Sequence, residues 1–174
     1  HFLLSPSTLL GIHRHLFTDV FPEEIPVGKF RKVNITKKAP VLDGDTVQYS
    51  SHFMIQDALA YDFEREQNFS YASLTNEQKT LHAMTFLADI WQVHPFREGN
   101  TRTVAVFGIQ YLRKLGFHID NSLFSEHAAY FRNALVLYHY HGEKQDKQFL
   151  KMFFENLLMG KKNILSDEEM YAKK

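Results

Sequence analysis

The chain has 174 residues, enough for a sizeable core in one domain, and its 44% hydrophobic content fits an ordinary globular interior. Twenty basic and twenty acidic residues cancel, so no overall field gathers nucleic acid or an anionic membrane, and neither is expected as a partner. The chain has no cysteine, which excludes disulfides and thiolate chemistry. With no apolar run of about 18 residues and no signal-like opening segment, the reading is a cytoplasmic protein without a membrane span.

In chain order, Ser5-Pro6-Ser7-Thr8 predicts a helix start, with Leu9, Leu10, Ile12, His13, Leu16 and Phe17 on its apolar face. Two prolines, acidic residues and Gly28 then argue against a long element between Thr18 and Val33, with a brief extended segment over Phe30–Ile35. Pro40 to Ser50 reads as a small β-hairpin with Asp43-Gly44 in its turn, too short to stand without support. Phe53, Ile55, Leu59 and Phe63 mark a helix over 52–65. Ser73 or Thr75, with Glu77 or Gln78, is expected to cap a buried helix that ends before His94, where Pro95 makes continuation unfavourable.

A second helical run follows over 103–115 and stops at Gly116. Ser122 or Ser125 opens the next, which carries Phe131, Leu135 and Tyr138 and closes on His139 to Gly142, imidazoles that suit a helix end better than a metal site. Phe149, Leu150, Phe153, Phe154, Leu157 and Leu158 give the last long helix over 146–159, closed by Gly160, and Ser166 to Glu169 opens a short tail helix. The expectation is one all-α domain over 1–174, with a core over about 9–158, a tail over 161–174 and a small β-hairpin flap.

The stretch His94-Pro95-Phe96-Arg97-Glu98-Gly99-Asn100-Thr101-Arg102 lies between two of these helices. A helix start presents unpaired N–H groups and the positive end of a dipole, which suits a phosphate. His94 can take a proton at neutral pH, and Glu98 offers one hard oxygen, a common way to hold Mg²⁺ together with substrate phosphates. Asn100 can orient a phosphate oxygen, Arg102 can bond another, and Gly99 lets the main chain approach. The spacing is neither H-E-x-x-H nor G-x-x-x-x-G-K-[ST], so a zinc protease and a P-loop are excluded. On chemistry alone, a phosphate-handling site and a plain helix cap both stay open.

This stretch resembles the signature of the Fic-domain family, the cell filamentation proteins, written H-P-F-x-[DE]-G-N-G-R-x-x-R. The segments I-H-R-H-L-F at Ile12 to Phe17 and G-K-F-R-K-V-N-I at Gly28 to Ile35 extend the resemblance. It implies transfer of AMP from ATP to a Tyr, Thr or Ser hydroxyl of a target protein, with release of pyrophosphate. By the same resemblance His94 is the catalytic base and Glu98 the ligand of Mg²⁺. Phe96, Arg97, Gly99, Asn100, Thr101 and Arg102 form the cofactor-binding set, the Phe96 ring anchoring the loop in the core. The hairpin over 40–50 takes the place of a target-docking flap.

Two departures stand out, since Thr101 replaces the second glycine of the signature and Ala105 its final arginine. They leave open another phosphorylated donor, removal of AMP, or a weakly catalytic nucleotide-binding module. The family's inhibitory pattern [ST]-x-x-x-E-[GN] fails here at Gln78 after Ser73 to Glu77 and at His127 after Ser122 to Glu126. Inhibition is then expected from outside these residues, with a separate antitoxin-like protein as one candidate partner and a homo-oligomer as one assembly.

Overall fold

A computed structural model describes residues 1–172, and no strand occurs among them. The helices are α1 (Pro6–Phe17), α2 (Ile55–Gln67), α3 (Asn76–Val93), α4 (Asn100–Lys114), α5 (Ser122–Glu126), α6 (Ala128–His139), α7 (Gln148–Met159) and α8 (Asp167–Ala172). Short 3-10 turns occupy Pro40–Leu42 and His52–Met54. No helix of the described residues is long and apolar enough to cross a membrane. The chain divides into two units, one made of His1–Ile35, Tyr49–Ser70 and Asp89–Phe117, the other of the remaining segments.

In the first unit, Ser5 caps α1 by accepting a hydrogen bond from the Ser7 amide at 3.3 Å, and Pro6 takes the first turn, where its missing N–H costs nothing. The α1 face carrying Leu9, Ile12, His13 and Phe17 is buried, and α1 packs on α4. Phe107 of α4 is fully buried, with the Phe63 ring of α2 edge-on at 5.6 Å and Phe2 tilted at 5.4 Å. The buried carboxylate of Glu66 accepts the Tyr111 hydroxyl at 2.6 Å, so this polar pair is carried inside without an unmet group.

In the second unit, Thr75 and Gln78 form the expected capping box. The Gln78 amide donates to Thr75 Oγ1 at 3.2 Å and the Thr75 amide to Gln78 Oε1 at 2.9 Å. Phe124, Phe131 and Phe153 pack ring against ring at 4.9 to 5.1 Å, where α5, α6 and α7 meet. Asp146 accepts the Gln148 amide ahead of α7, and Gly160, at φ 66, closes that helix. His139, the last residue of α6, is buried against the Ala88 carbonyl at 2.7 Å, and burial draws its pKa down to about 4.

The expected β-hairpin over 40–50 is corrected. Pro40 has no amide hydrogen and a fixed φ, and it starts a 3-10 turn instead of a strand. Val41 and Leu42 are consequently both buried, where a strand would send adjacent residues to opposite faces. Asp43 and Gly44 take left-handed φ values of 55 and 91 as expected of an Asp-Gly turn, and the ends are joined by Ala39 N–H to Asp45 O at 2.9 Å. Tyr140 donates to Asp45 at 2.7 Å and Lys144 pairs with Asp43 at 2.6 Å, so the turn is tethered at its tip.

Candidate active site

The loop begins where α3 stops. The amide of His94 and its ring Nδ1 both lie 3.0 Å from the Trp91 carbonyl, and the backbone turns left-handed at φ 52. A carbonyl only accepts, so Nδ1 carries a proton, and in the neutral ring the lone pair is on Nε2. The Tyr49 ring stacks on His94 at 3.9 Å and the Trp91 ring meets it edge-on at 5.0 Å, leaving the histidine 3% exposed.

Arg31 secures this strained residue. Its guanidinium donates to the carbonyls of His94 at 2.7 Å, Val33 at 2.8 Å, Ser50 at 2.5 Å and Val93 at 3.2 Å. Its own amide donates to the Pro95 carbonyl at 2.9 Å. The side chain is buried and satisfied by main-chain oxygens, and burial pulls its pKa below the usual arginine value. The His94 carbonyl is thus fixed from outside the loop, offsetting a left-handed residue that costs about 1–2 kcal/mol.

His13 of α1 holds the other end. Its Nδ1 accepts the Gly28 amide at 2.9 Å, so the proton resides on Nε2, which donates to the Glu98 carbonyl at 2.8 Å. Burial lowers the His13 pKa against the opposing effect of that carbonyl, which keeps the ring neutral. The ring also stacks on Phe96 at 3.9 Å with an angle of 8° between planes.

The loop is braced internally as well. The Phe96 amide donates to Asn100 Oδ1 at 2.9 Å, and Asn100 Nδ2 donates back to the Phe96 carbonyl at 2.7 Å. Phe96 and Asn100 are both buried, so their side chains support the loop. The Phe96 ring lies in the core, and the Asn100 side chain bonds the Phe96 main chain on both sides.

Gly99 precedes α4 at φ 85 and no side chain caps the helix there. A Cβ at Gly99 would come within 2.4 Å of the Phe17 ring, so only glycine brings the main chain this close. The first amides of α4 lie at the positive end of its dipole. Arg102 is exposed in that first turn, its guanidinium 6.0 Å from the Phe17 ring centroid. Glu98 is also exposed, and Arg97 reaches a cleft of about 790 Å³ lined also by Phe21, Ile25, Lys29 and Phe30.

The Thr101 Oγ1 accepts the Trp91 indole N–H at 2.9 Å. Ala105 lies part-buried one turn further along α4, with no guanidinium at that position. The sequence reading assigned no site role to Arg31, His13, Tyr49 or Trp91. Two of them lie within the segments at Ile12 to Phe17 and Gly28 to Ile35 that extend the resemblance, which was the available signal.

The chain is similar to known proteins in sequence and in structure. The chain is 31% identical over 112 residues to protein adenylyltransferase VbhT of Bartonella schoenbuchensis, covering 63% of this chain and 21% of that protein. It is 39% identical over 122 residues to the probable protein adenylyltransferase y4lH of Sinorhizobium fredii, covering 64% and 54%. The chain therefore spans about a fifth and about half of these relatives. Among solved structures, the type IV secretion system effector protein BepA superposes with a TM-score of 0.66 at 25% identity, covering 89% of this chain and 53% of that one. BepC of Bartonella tribocorum, solved with bound AMPPNP, gives 0.66 at 20% identity over 88% and 74% of the two chains. With the family model for Fic/DOC proteins matching residues 3–112, more than half its length, the chain belongs to the Fic/DOC family.

Proposed function

We propose that the chain is the catalytic module of a protein adenylyltransferase that uses ATP. The observation that carries this reading is the pairing of His94 Nδ1 with the Trp91 carbonyl, which puts the ring's basic nitrogen on its other side. In the proposed reaction Nε2 of His94 takes the proton of a target Tyr, Thr or Ser hydroxyl. The hydroxyl oxygen bonds to the α-phosphorus of ATP, the bond from that phosphorus to the bridging oxygen breaks, and pyrophosphate leaves. Catalysis of this kind rests on alignment and charge stabilisation, which a rigid loop and a fixed base provide.

The phosphates would be met by main-chain amides from Gly99 to Arg102 and by the Arg102 guanidinium, with Arg97 beside its cleft as a further cation. Magnesium fits as a companion of the nucleotide. Among the described residues no group of three His, Cys, Asp or Glu side chains is arranged for a metal, whereas Glu98 is exposed and offers one carboxylate. One carboxylate with phosphate oxygens and water is an ordinary Mg²⁺ environment. When bound, the ion would neutralise phosphate charge.

A target protein would approach along residues 40–50, the tethered turn and the segment leading from it to Tyr49. Restraint by a separate antitoxin-like protein and self-association belong to the same proposal, as does action in the cytoplasm. Ala105 favours a second reading, transfer from another phosphorylated donor, because the position that carries an arginine in the signature holds a methyl group.

The test supplies bacterial and host lysates with Mg²⁺ and ATP labelled at either the α or the γ phosphate. Label from the α position alone on protein is the expected result. Label from the γ position would indicate phosphorylation, and the absence of both across lysates would reject ATP as donor in favour of the second reading.

A further inference from the structure

His94 belongs to a small cluster of rings. Tyr49 covers its face at 3.9 Å, Trp91 contacts its edge at 5.0 Å, and Trp91 also meets Tyr49 edge-on at 5.7 Å. Each ring thus touches the other two, and Trp91 makes a further link, since its carbonyl accepts the His94 Nδ1 proton. The indole is 1% exposed, and a buried indole N–H requires an acceptor. That acceptor is the Thr101 hydroxyl at 2.9 Å, in the first turn of α4. Glycine, the residue at this place in the signature, has no side chain to accept the bond.

We propose that Thr101 is a positioning residue: its hydroxyl pins the Trp91 indole, which in turn seats the His94 imidazole for proton transfer. The hydrogen bond joins the end of α3 to the start of α4 across the loop, so the base and the anion-facing amides are held in one register. In this chain the threonine is matched to the tryptophan, and its hydroxyl is directed toward the indole and not to the phosphates. The inference rests on the reading of His94 as the base.

Two features make it testable. Trp91 is the chain's single tryptophan, so one indole N–H resonance reports the bond without assignment. Valine matches the shape of threonine but lacks the acceptor, while serine keeps it. Thr101→Val is expected to move the indole resonance upfield and to lower the turnover of α-label transfer by about tenfold or more, with ATP affinity retained. Thr101→Ser is expected to restore the resonance and most of the turnover. Trp91→Phe removes the donor, and combining it with Thr101→Val should add little further loss, since both break one interaction.

An unmoved indole resonance in Thr101→Val would overturn the proposal. So would a loss of ATP affinity with turnover intact, which would return Thr101 to the phosphates. If Thr101→Val does not fold, Trp91→Phe alone decides: a loss of turnover with ATP affinity retained supports the proposal, and unchanged turnover overturns it. If the parent protein transfers no label, the functional reading fails separately. The His94 imidazole resonances then decide this inference: moved by valine and kept by serine in support, insensitive to both against.

Discussion

His94→Ala is expected to lower α-label transfer by roughly 10²–10⁴-fold, the usual contribution of a positioned general base. ATP binding should survive, because in the proposed site the phosphates are met by the start of α4 and by Arg102, not by the imidazole. The variant should also fold. Alanine retains the carbonyl that Arg31 holds at 2.7 Å and the amide that bonds Trp91 at 3.0 Å, so the left-handed turn keeps its main-chain ties. What is lost is the ring between Tyr49 and Trp91. Calorimetric titration with a non-hydrolysable ATP analogue, beside the transfer assay, separates the two effects. Loss of binding in step with transfer would make His94 a nucleotide ligand.

Arg31→Met should be the most destabilising single change at the site, by at least about 3 kcal/mol, because it strips donors from several buried or part-buried carbonyls at once. The guanidinium bonds four carbonyls, and two of them, His94 and Val93, lie at the junction where α3 turns into the loop. Water can replace the donors near Ser50 and Val33 more easily than at that buried junction, so the loss is concentrated there. Arg31→Lys should recover only part of the stability, since one ammonium cannot reproduce the planar fork. Urea unfolding measures the difference. A change below about 1 kcal/mol in the methionine variant would mean that the bonds are readily exchanged for water.

Much of the fold was legible because its signals are local. Ser5-Pro6, the Thr75 and Gln78 box and Gly160 mark helix ends through neighbouring residues, and all three appear in the structure. The hairpin is absent from the described residues for a local reason: Pro40 cannot donate to a ladder, and adjacent Val41 and Leu42 break the alternation that a strand with one buried face requires. At the site, the loop could be read from its residue types, but its supports could not. Arg31 is 63 residues from the His94 carbonyl it holds, and His13 is 85 from that of Glu98. No periodicity or spacing announces such pairs. Asn100 differs, since its residue type suits an anion contact as well as a brace, and the two bonds to Phe96 that make it a brace are visible only in the structure.

The central claim is that this loop presents His94 as a neutral base with its proton on Nδ1. Long-range nitrogen–proton correlation spectra of isotope-labelled protein at neutral pH test it directly, with His94→Ala identifying the signals. The account predicts a protonated, pyrrole-like Nδ1 and an unprotonated, pyridine-like Nε2. The opposite tautomer, with the proton on Nε2, would contradict it.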